Sequence, residues 1–313
     1  MRLLFKRLDA WLLLMTFFWG SNFSVVKAAI RELPGPGFNG LRMLLASLVF
    51  LAIIAWRDGM RKSVQSIDRQ DWPAILGLAL IGHAAYQVLF LGGVARTSVA
   101  NSSLLFGCTP IAVSLLGAWL GHERPGWTRW AGTALSLTGI YFVVGHGARQ
   151  GTSSLVGDLW ILGAMCSWTV YTVGTRPLLE RYSPVLITGI TMAIGTAVYA
   201  PVALLWLRGV DLAGVSTVAW VGVVYSAVFS LVAAYIIWYT AVREVGSGHT
   251  AIYSNVVPLV AMAVATVVVH EPLTTVKLAG AAAVLGGVAL TRLDARPSVR
   301  HPQAPAHARD VRD

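Results

Sequence analysis

The stretch DAWLLLMTFFWGSNFSVVK at residues 9–27 returns in altered form as DLWILGAMCSWTVYTVGTR at residues 158–176. A displacement of 149 residues pairs Asp9 with Asp158, Trp11 with Trp160 and Trp19 with Trp168 as identical residues. Later pairs follow at a displacement of 148: Pro110–Pro258, His122–His270, Glu123–Glu271, Gly132–Gly280 and Gly139–Gly287. A single one-residue gap therefore superposes 9–144 on 158–292, which predicts an internal duplication.

The composition around these repeats indicates an integral membrane protein. Apolar residues (AVILMFWYC) make up 56% of the 313 residues and charged residues 12%, about half the usual ~25% of soluble proteins. A helix needs about 20 apolar residues to cross the hydrocarbon layer. Ten such stretches are predicted, at roughly 10–30, 38–56, 72–95, 99–120, 127–145, 157–178, 184–207, 217–242, 248–269 and 273–291.

The lysines and arginines predict the orientation. With the N-terminus inside, 17 of the 24 fall in inner segments and 5 in outer connectors. This split fits the positive-inside rule, so both termini are predicted to be cytoplasmic in a multi-pass protein of the cell inner membrane. The net charge of +10 is thus explained by topology, and nucleic-acid binding is not expected.

Five spans per copy is an odd number, so the second copy must lie upside down relative to the first. The predicted fold is an all-α integral membrane protein with ten transmembrane helices, arranged as two inverted five-helix repeats around a central cavity. The predicted units are 1–149, 150–292 and a disordered cytoplasmic tail at 293–313. Inverted repeats are a recurring architecture of secondary transporters, whose substrate site lies at the midplane between the halves.

Several short motifs resemble the drug/metabolite transporter superfamily, specifically its ten-helix EamA-type exporters. They are FWGSNF at 18–23, LRMLLA at 41–46, HERP at 122–125 and HEPL at 270–273. The resemblance covers essentially residues 9–292. It implies export of amino acids or related metabolites from bacterial cells through a central cavity. The family's motifs are mainly structural, so the resemblance implies no catalytic residue.

Two tryptophans stand out as candidate substrate-binding residues. Trp normally lies at the lipid headgroup boundary, where the other ten are expected, Trp238 least securely. Trp19 and Trp168 instead lie at the centres of their spans and are repeat mates. We interpret them as aromatic walls facing a common cavity, because indole N–H groups at mid-membrane depth need partners. The alternative is that both are packing residues at a helix crossing.

Polar residues at helical spacing around these tryptophans are further candidates for substrate binding, because unpaired polar groups are costly in hydrocarbon. Hydrogen bonding between helices without ligand contact is the alternative for each of them. The candidates are Asn22, His83, Tyr86, Asn101, Tyr171, Tyr253 and Asn255.

Prolines and glycines indicate where helices bend and where they pack closely. The repeat mates Pro110 and Pro258 are predicted to kink helices four and nine and to serve as hinges, although simple packing kinks fit equally well. The Gly/Ala-rich fifth and tenth helices are interpreted as scaffold or as a homodimer face. Lys27 is expected to extend to the interface; Arg42 either does the same or binds a substrate carboxylate.

Some residue types are absent from the spans. No carboxylate lies at mid-membrane, which leaves His83 as the sole candidate for a buried proton carrier, and a structural role for it is the preferred interpretation. Cys108 and Cys166 have no metal-ligand spacing. No phosphate-binding GxxxxGK[ST] loop is present, so ATP coupling is not expected. The sequence predicts no metal and no cofactor.

The leading function is a secondary transporter that exports amino acids or similar metabolites, in contact with membrane lipids and a small-molecule substrate. Aromatic or amphipathic substrates are favoured because of the aromatic residues near mid-span. Two alternatives stay open. A flippase for a lipid-linked substrate should have a side opening between helices. A membrane-embedded enzyme should have acidic or histidine clusters near one interface, so enzymatic activity is not expected.

Overall fold

The structure is a computed structural model that describes residues 2–119, 127–149, 154–268, 270 and 272–293. The predicted tail from residue 294 onward, the motif at 122–125 and Glu271 lie outside the described residues. Every regular element in the described ranges is a helix. The chain is therefore all-α where it is described, as the apolar patterning predicts.

The helices follow the predicted spans closely. They are α1 (Arg2–Ala29), α2 (Gly35–Asp58), α3 (Arg69–Arg96), α4 (Val99–Phe106 and Thr109–Trp119), α5 (Trp127–Arg149), α6 (Leu155–Arg181), α7 (Pro184–Leu207), α8 (Thr217–Val245), α9 (Ser247–Ala251 and Val257–Val268) and α10 (Thr275–Leu293). A short helix, Met60–Gln65, connects α2 to α3.

Five of these helices are long and apolar enough to cross a membrane by length and composition. They are Leu8–Ala29 within α1, together with α2, α3, α7 and α8. Shorter apolar helices occur at Val99–Val113, Val257–Val268 and Thr275–Gly287. The described chain is thus a multi-pass membrane protein.

Helices α3 and α8 each contain a π-helical segment at equivalent places in the two copies. The segment in α3 is Leu80–Ala85 and the segment in α8 is Ser226–Ala233. A shift of 148 residues carries the first onto 228–233, inside the second. A π turn holds an extra residue and frees backbone groups, and such turns are frequent at functional sites.

Helices α2 and α7 pack antiparallel with very little space between them. Gly37 abuts Leu207 and Gly40 abuts Ala203. One to two turns further along α2, the hydroxyl groups of Ser47 and Thr196 lie 2.8 Å apart. Small residues on α2 therefore allow a close backbone approach along this seam.

Helices α5 and α10 form a second antiparallel seam. Ser136 donates a hydrogen bond to the carbonyl of Val284 at 3.1 Å. Gly139 abuts Ala283, and Gly287 abuts the Gly132 carbonyl at the other end of the contact. The glycine-rich faces of these two helices thus pack against each other within the chain, which is the scaffold role.

Candidate functional site

A narrow cavity lies at the centre of the helical bundle. Its walls combine the rings of Trp19, Trp168, Tyr86, Phe90 and Phe106 with a smaller set of polar groups. The free volume is about 60 Å³, enough for a few water molecules. The cavity is therefore smaller than typical small-molecule sites, which span ~300–1,000 Å³.

The two mid-span tryptophans meet across this cavity. The ring centroids of Trp19 and Trp168 are 5.5 Å apart with the planes at 89°, an edge-to-face contact. The indole N–H of Trp19 donates to the carbonyl of Ser230 at 3.0 Å, within the π-helical segment of α8. Trp168 makes no such bond within the described part of the chain. Both residues line the cavity, as expected of aromatic walls.

Asn22 and Tyr86 also line the cavity. The side-chain oxygen of Asn22 accepts a hydrogen bond from the Ser226 hydroxyl, which ties α1 to α8. Tyr86 stacks on Phe90 with centroids 5.7 Å apart and contacts Trp168 at 5.5 Å. The structure therefore brings Trp19, Asn22, Tyr86 and Trp168 to one cavity.

His83 and Tyr171 do not line the cavity and instead form a fully buried polar cluster behind its aromatic wall. Both are bonded to Thr191 of α7: its hydroxyl lies 3.2 Å from His83 Nε2 and 2.7 Å from the Tyr171 hydroxyl. Each has 0% of its surface exposed. In this conformation the two side chains connect α3, α6 and α7 rather than facing a substrate.

Asn101 and Tyr253 each contact an aspartate outside the cavity walls. Asn101 donates to Asp158 at 3.3 Å, and Thr97 donates to the same carboxylate at 2.5 Å. Tyr253 donates to Asp9 at 2.6 Å. Since Asp9 and Asp158 are repeat mates, these bonds join α9 to α1 and α4 to α6 at equivalent places. The side chain of Asn255 lies outside the described residues.

Helices α4 and α9 are interrupted just before their prolines. The first part of α4 ends at Phe106 and its second part begins at Thr109, one residue before Pro110. In α9 a 3-10 turn at Ile252–Asn255 precedes the part that begins at Val257, one residue before Pro258. The interruptions put Phe106 and Thr109, together with Ser254 and Val257, on the cavity wall.

Arg42 is the charged residue of the cavity, and it does not extend to the interface. It is 1% exposed and lines the cavity from α2. Its Nε donates to Asn39 at 2.7 Å and its Nη2 donates to Gln87 at 2.6 Å. The ring centroids of Phe38 and Phe90 each lie 5.7 Å from the guanidinium carbon.

Two other residues are missing from the sequence-based candidates. Gln87 and Tyr235 line the cavity, and the Gln87 Nε2 and the Tyr235 hydroxyl have no hydrogen-bond partner among the described residues. Gln87 lies four residues after His83. Tyr235 is the repeat mate of Gln87, at a displacement of 148 residues. Applying the repeat to every polar residue of α3 would have identified Tyr235.

One expectation about a side chain at the interface is wrong. Trp238 is fully buried rather than at the headgroup boundary, and its ring lies 5.1 Å from that of Trp19. The position of Lys27 at the interface stays a prediction. Its ammonium group donates to the carbonyls of Val94 and Thr97, each at 2.7 Å. It thereby caps the C-terminal end of α3, where carbonyls lack helical partners.

The sequence profile of the EamA-like transporter family matches residues 6–145 and again residues 155–293. The chain belongs to the EamA-like transporter family. The two matches coincide with the two halves of the internal duplication, so each half is one EamA unit. The cavity lies between side chains from both units.

Similar proteins carry transporter names. The uncharacterized transporter YetK of Bacillus subtilis is 26% identical over 288 residues, which cover 91% of this chain and 86% of YetK. A probable terminal-alkyne amino-acid exporter of Streptantibioticus cattleyicolor is 30% identical over 283 residues, covering 90% of this chain and 92% of that protein. A solved crystal structure with 19% identity superposes with a TM-score of 0.67 over 90% of this chain and 95% of that chain, which shows a shared fold.

Proposed function

We propose that this EamA protein is a secondary transporter that exports amino acids or related amphipathic metabolites across the inner membrane, with aromatic substrates favoured. The observation that carries the proposal is the contact between Trp19 and Trp168 in the central cavity. Indole rings bind flat apolar groups, and the polar groups beside them suit a substrate with a polar end. The amino-acid exporter of S. cattleyicolor supports the substrate class.

Alternating access between two inverted repeats, 1–149 and 150–292, is the proposed mechanism. Its support is that the equivalent helices α2 and α7 pack antiparallel, and that α5 and α10 do so too. Helices from inverted copies run in opposite directions, so two conformations of comparable energy arise from exchanging the roles of the copies. Cytoplasmic termini are part of the proposal and rest on the distribution of lysine and arginine.

The test is counterflow uptake in proteoliposomes with the twenty amino acids, a few cationic drugs and nucleosides, with and without a pH gradient. We expect saturable uptake of an aromatic amino acid by the wild type. Trp19→Ala and Trp168→Ala should abolish it, whereas Trp56→Ala should not, because Trp56 is 89% exposed on the outside of the bundle. Unchanged uptake of every substrate by folded Trp19→Ala and Trp168→Ala variants would contradict the aromatic preference.

A lipid-linked substrate is the second candidate. An apolar groove between α1 and α8, lined by Leu8, Trp11, Ile236 and Ile237, is the observation that favours it, since a flippase needs an opening toward the lipid. None of its lining residues belongs to the central cavity. If folded protein takes up none of the soluble compounds, scrambling of a fluorescent polyprenyl phosphate between leaflets becomes the decisive assay.

A further inference from the structure

Arg42 carries a charge that no described residue neutralises. It lies seven residues after the start of α2, roughly 10 Å along the helix, with its side chain directed into the cavity. Its hydrogen-bond acceptors, Asn39 and Gln87, are both neutral amides. No carboxylate of the described residues lies within the 4.0 Å of an ion pair. A buried charge left in this state is costly, so its retention calls for a compensating anion.

The groups around the guanidinium are hydrogen-bond donors that still lack acceptors. The Gln87 Nε2 and the Tyr235 hydroxyl have no partner among the described residues, and both residues line the same cavity as Arg42. The guanidinium itself uses Nε and Nη2 for its two amide bonds, which leaves Nη1 for another acceptor. An oxygen-bearing anion in the cavity would satisfy all three groups.

The lining also restricts the kind of anion. Among the described residues of the cavity wall, Arg42 is the sole cation, and the other lining groups are rings, amides, hydroxyls and aliphatic side chains. A single guanidinium matches a monoanion, and its planar fork pairs well with a planar carboxylate. The rings of Trp19 and Trp168 then remain for the apolar part of the same molecule.

We propose that Arg42 and Gln87 bind the carboxylate of the transported molecule and determine its class, an aromatic or apolar monocarboxylate. The inference rests on the proposed function and makes it more specific. No acidic side chain is present on the described cavity wall, so no ion pair selects the substrate's ammonium group. The carboxylate is required, and the amino group is dispensable.

A ligand series tests this on the wild-type protein. Labelled phenylalanine is loaded by counterflow into proteoliposomes and challenged with 3-phenylpropionate, phenylalaninamide and phenethylamine. We expect 3-phenylpropionate to compete as well as phenylalanine. The amide and the amine should compete roughly 10- to 100-fold more weakly, the range expected when hydrogen bonds to a charged group are lost. If the amide competes as well as the acid, the inference is wrong, although transport itself stands.

Two variants locate the effect at Arg42. Arg42→Gln should lose the preference for acid over amide. Gln87→Glu places a carboxylate beside the guanidinium, so it should lose binding of the acid while the protein stays folded, because the new ion pair keeps α2 and α3 together. The matched control is Arg96→Gln, because Arg96 stacks on Trp160 at 5.0 Å at the end of α3, outside the cavity wall.

The outcomes distinguish a failure of the inference from a failure of the proposed function. An acid preference that survives in either cavity variant overturns the inference alone. Absence of uptake of any soluble compound by folded wild-type protein counts against both the proposed function and the inference. A lost preference in Gln87→Glu with an unchanged melting temperature supports the inference even if Arg42→Gln fails to fold.

Discussion

The two copies of the duplicated unit place different chemistry at equivalent positions around one cavity. The first copy contributes Asn22, Arg42 and Gln87; displacements of 149, 149 and 148 residues lead to Tyr171, Thr191 and Tyr235 in the second. The first set holds amides and a cation, and the second holds hydroxyls on aromatic or short side chains. Of the second set, Tyr235 lines the cavity, whereas Tyr171 and Thr191 lie behind its aromatic wall, so the amides and the cation of the wall come from the first copy.

Several contacts between helices, in contrast, join equivalent positions of the two copies. Three contacts join a residue to its own repeat mate: Trp19 to Trp168, Ser47 to Thr196 and Ser136 to Val284. Contacts of this kind are expected close to a two-fold axis, as in the self-complementary interface of a symmetric dimer, and they support the proposed inverted repeats. Side chains have diverged even at these contacts, since Ser136 meets Val284, so the copies share the place of each contact rather than its chemistry.

Gly82 should show the largest effect among the variants that test this comparison of the two copies. An added Cβ would lie 2.3 Å from the Tyr171 ring, whereas its repeat mate Ser230 fits against α1 and donates to the Phe18 carbonyl at 3.1 Å. We expect Gly82→Ala to lower the free energy of unfolding by about 3 kcal/mol, measured by SDS titration in mixed micelles. Gly77→Ala, on the same helix with nothing within 4 Å, is the control and should be nearly neutral. Equal values would mean that the Tyr171 ring moves aside freely.

The repeat mates Asp9 and Asp158 should show the second-largest effect on stability. Asp158 is 1% exposed and accepts from Thr97 and Asn101, whereas Asp9 is half-buried and accepts from Tyr253. Asp158→Asn should cost about 2 kcal/mol, because buried hydrogen bonds to a charged group are weakened, and Asp9→Asn should cost clearly less. The same SDS titration measures both. A larger loss for Asp9→Asn would reverse this order and contradict the burial argument.

The two central tryptophans should differ in stability by a smaller amount. Replacing either residue with Phe removes a similar volume. Among the described residues, however, the indole N–H of Trp19 donates to the Ser230 carbonyl, whereas that of Trp168 makes no such bond. Trp19→Phe should therefore be less stable than Trp168→Phe by about 1 kcal/mol, the net value of one hydrogen bond. Melting temperatures of the two variants in one detergent provide the comparison, and a difference of opposite sign would show that the bond does not stabilise the fold.

The smallest effect concerns an exposed pair in the connectors. Glu32 accepts from the backbone N–H and the hydroxyl of Ser216 at 2.9 and 2.8 Å, and these bonds lower the pKa of Glu32 below its ordinary 4.5. Because the pKa is lower in the folded state, the Glu32–Ser216 bonds contribute to stability above pH 4.5, and this contribution is lost as the pH falls below that value. The stability of the wild type relative to Glu32→Gln should thus shrink slightly below that pH in detergent melting curves.

This pair has a counterpart of opposite charge, formed by the repeat mates of its two residues. The repeat mate of Glu32 is Arg181, and that of Ser216 is Asp68. Arg181 lies 3.8 Å from Asp68 and 2.6 Å from Asp71. If the stability difference between the wild type and Glu32→Gln does not change with pH, the assignment of the acid effect to Glu32 is wrong.

Much of the fold could be predicted because it depends on patterns that the chain itself carries. The apolar stretches predicted the helices, and the mated motifs predicted a duplication that coincides with two EamA units. Trp19 and Trp168 were found because an indole at mid-span is unusual. Asn22 and Tyr86 followed from helical spacing, which relates residues on one face of a regular helix.

Helical spacing failed where the helix is irregular. His83 and Tyr86 are three residues apart, but the π-helical segment at Leu80–Ala85 lies between regular parts of α3. Its extra residue rotates the following turn relative to His83, so Tyr86 lines the cavity while His83 lies behind it against Thr191. Nothing in the local sequence specifies that turn.

The sequence by itself thus determined the class of the protein, its helices, its duplication and the pair of central rings, because hydrophobic length and repeated motifs are local properties of the chain. Only the tertiary structure decided which polar side chains meet in the cavity. Arg42, Gln87 and Tyr235 come from α2, α3 and α8, and their convergence depends on how these helices pack against one another. A guanidinium directed inward and one that extends to the interface look the same in sequence, since packing against neighbouring helices determines the difference.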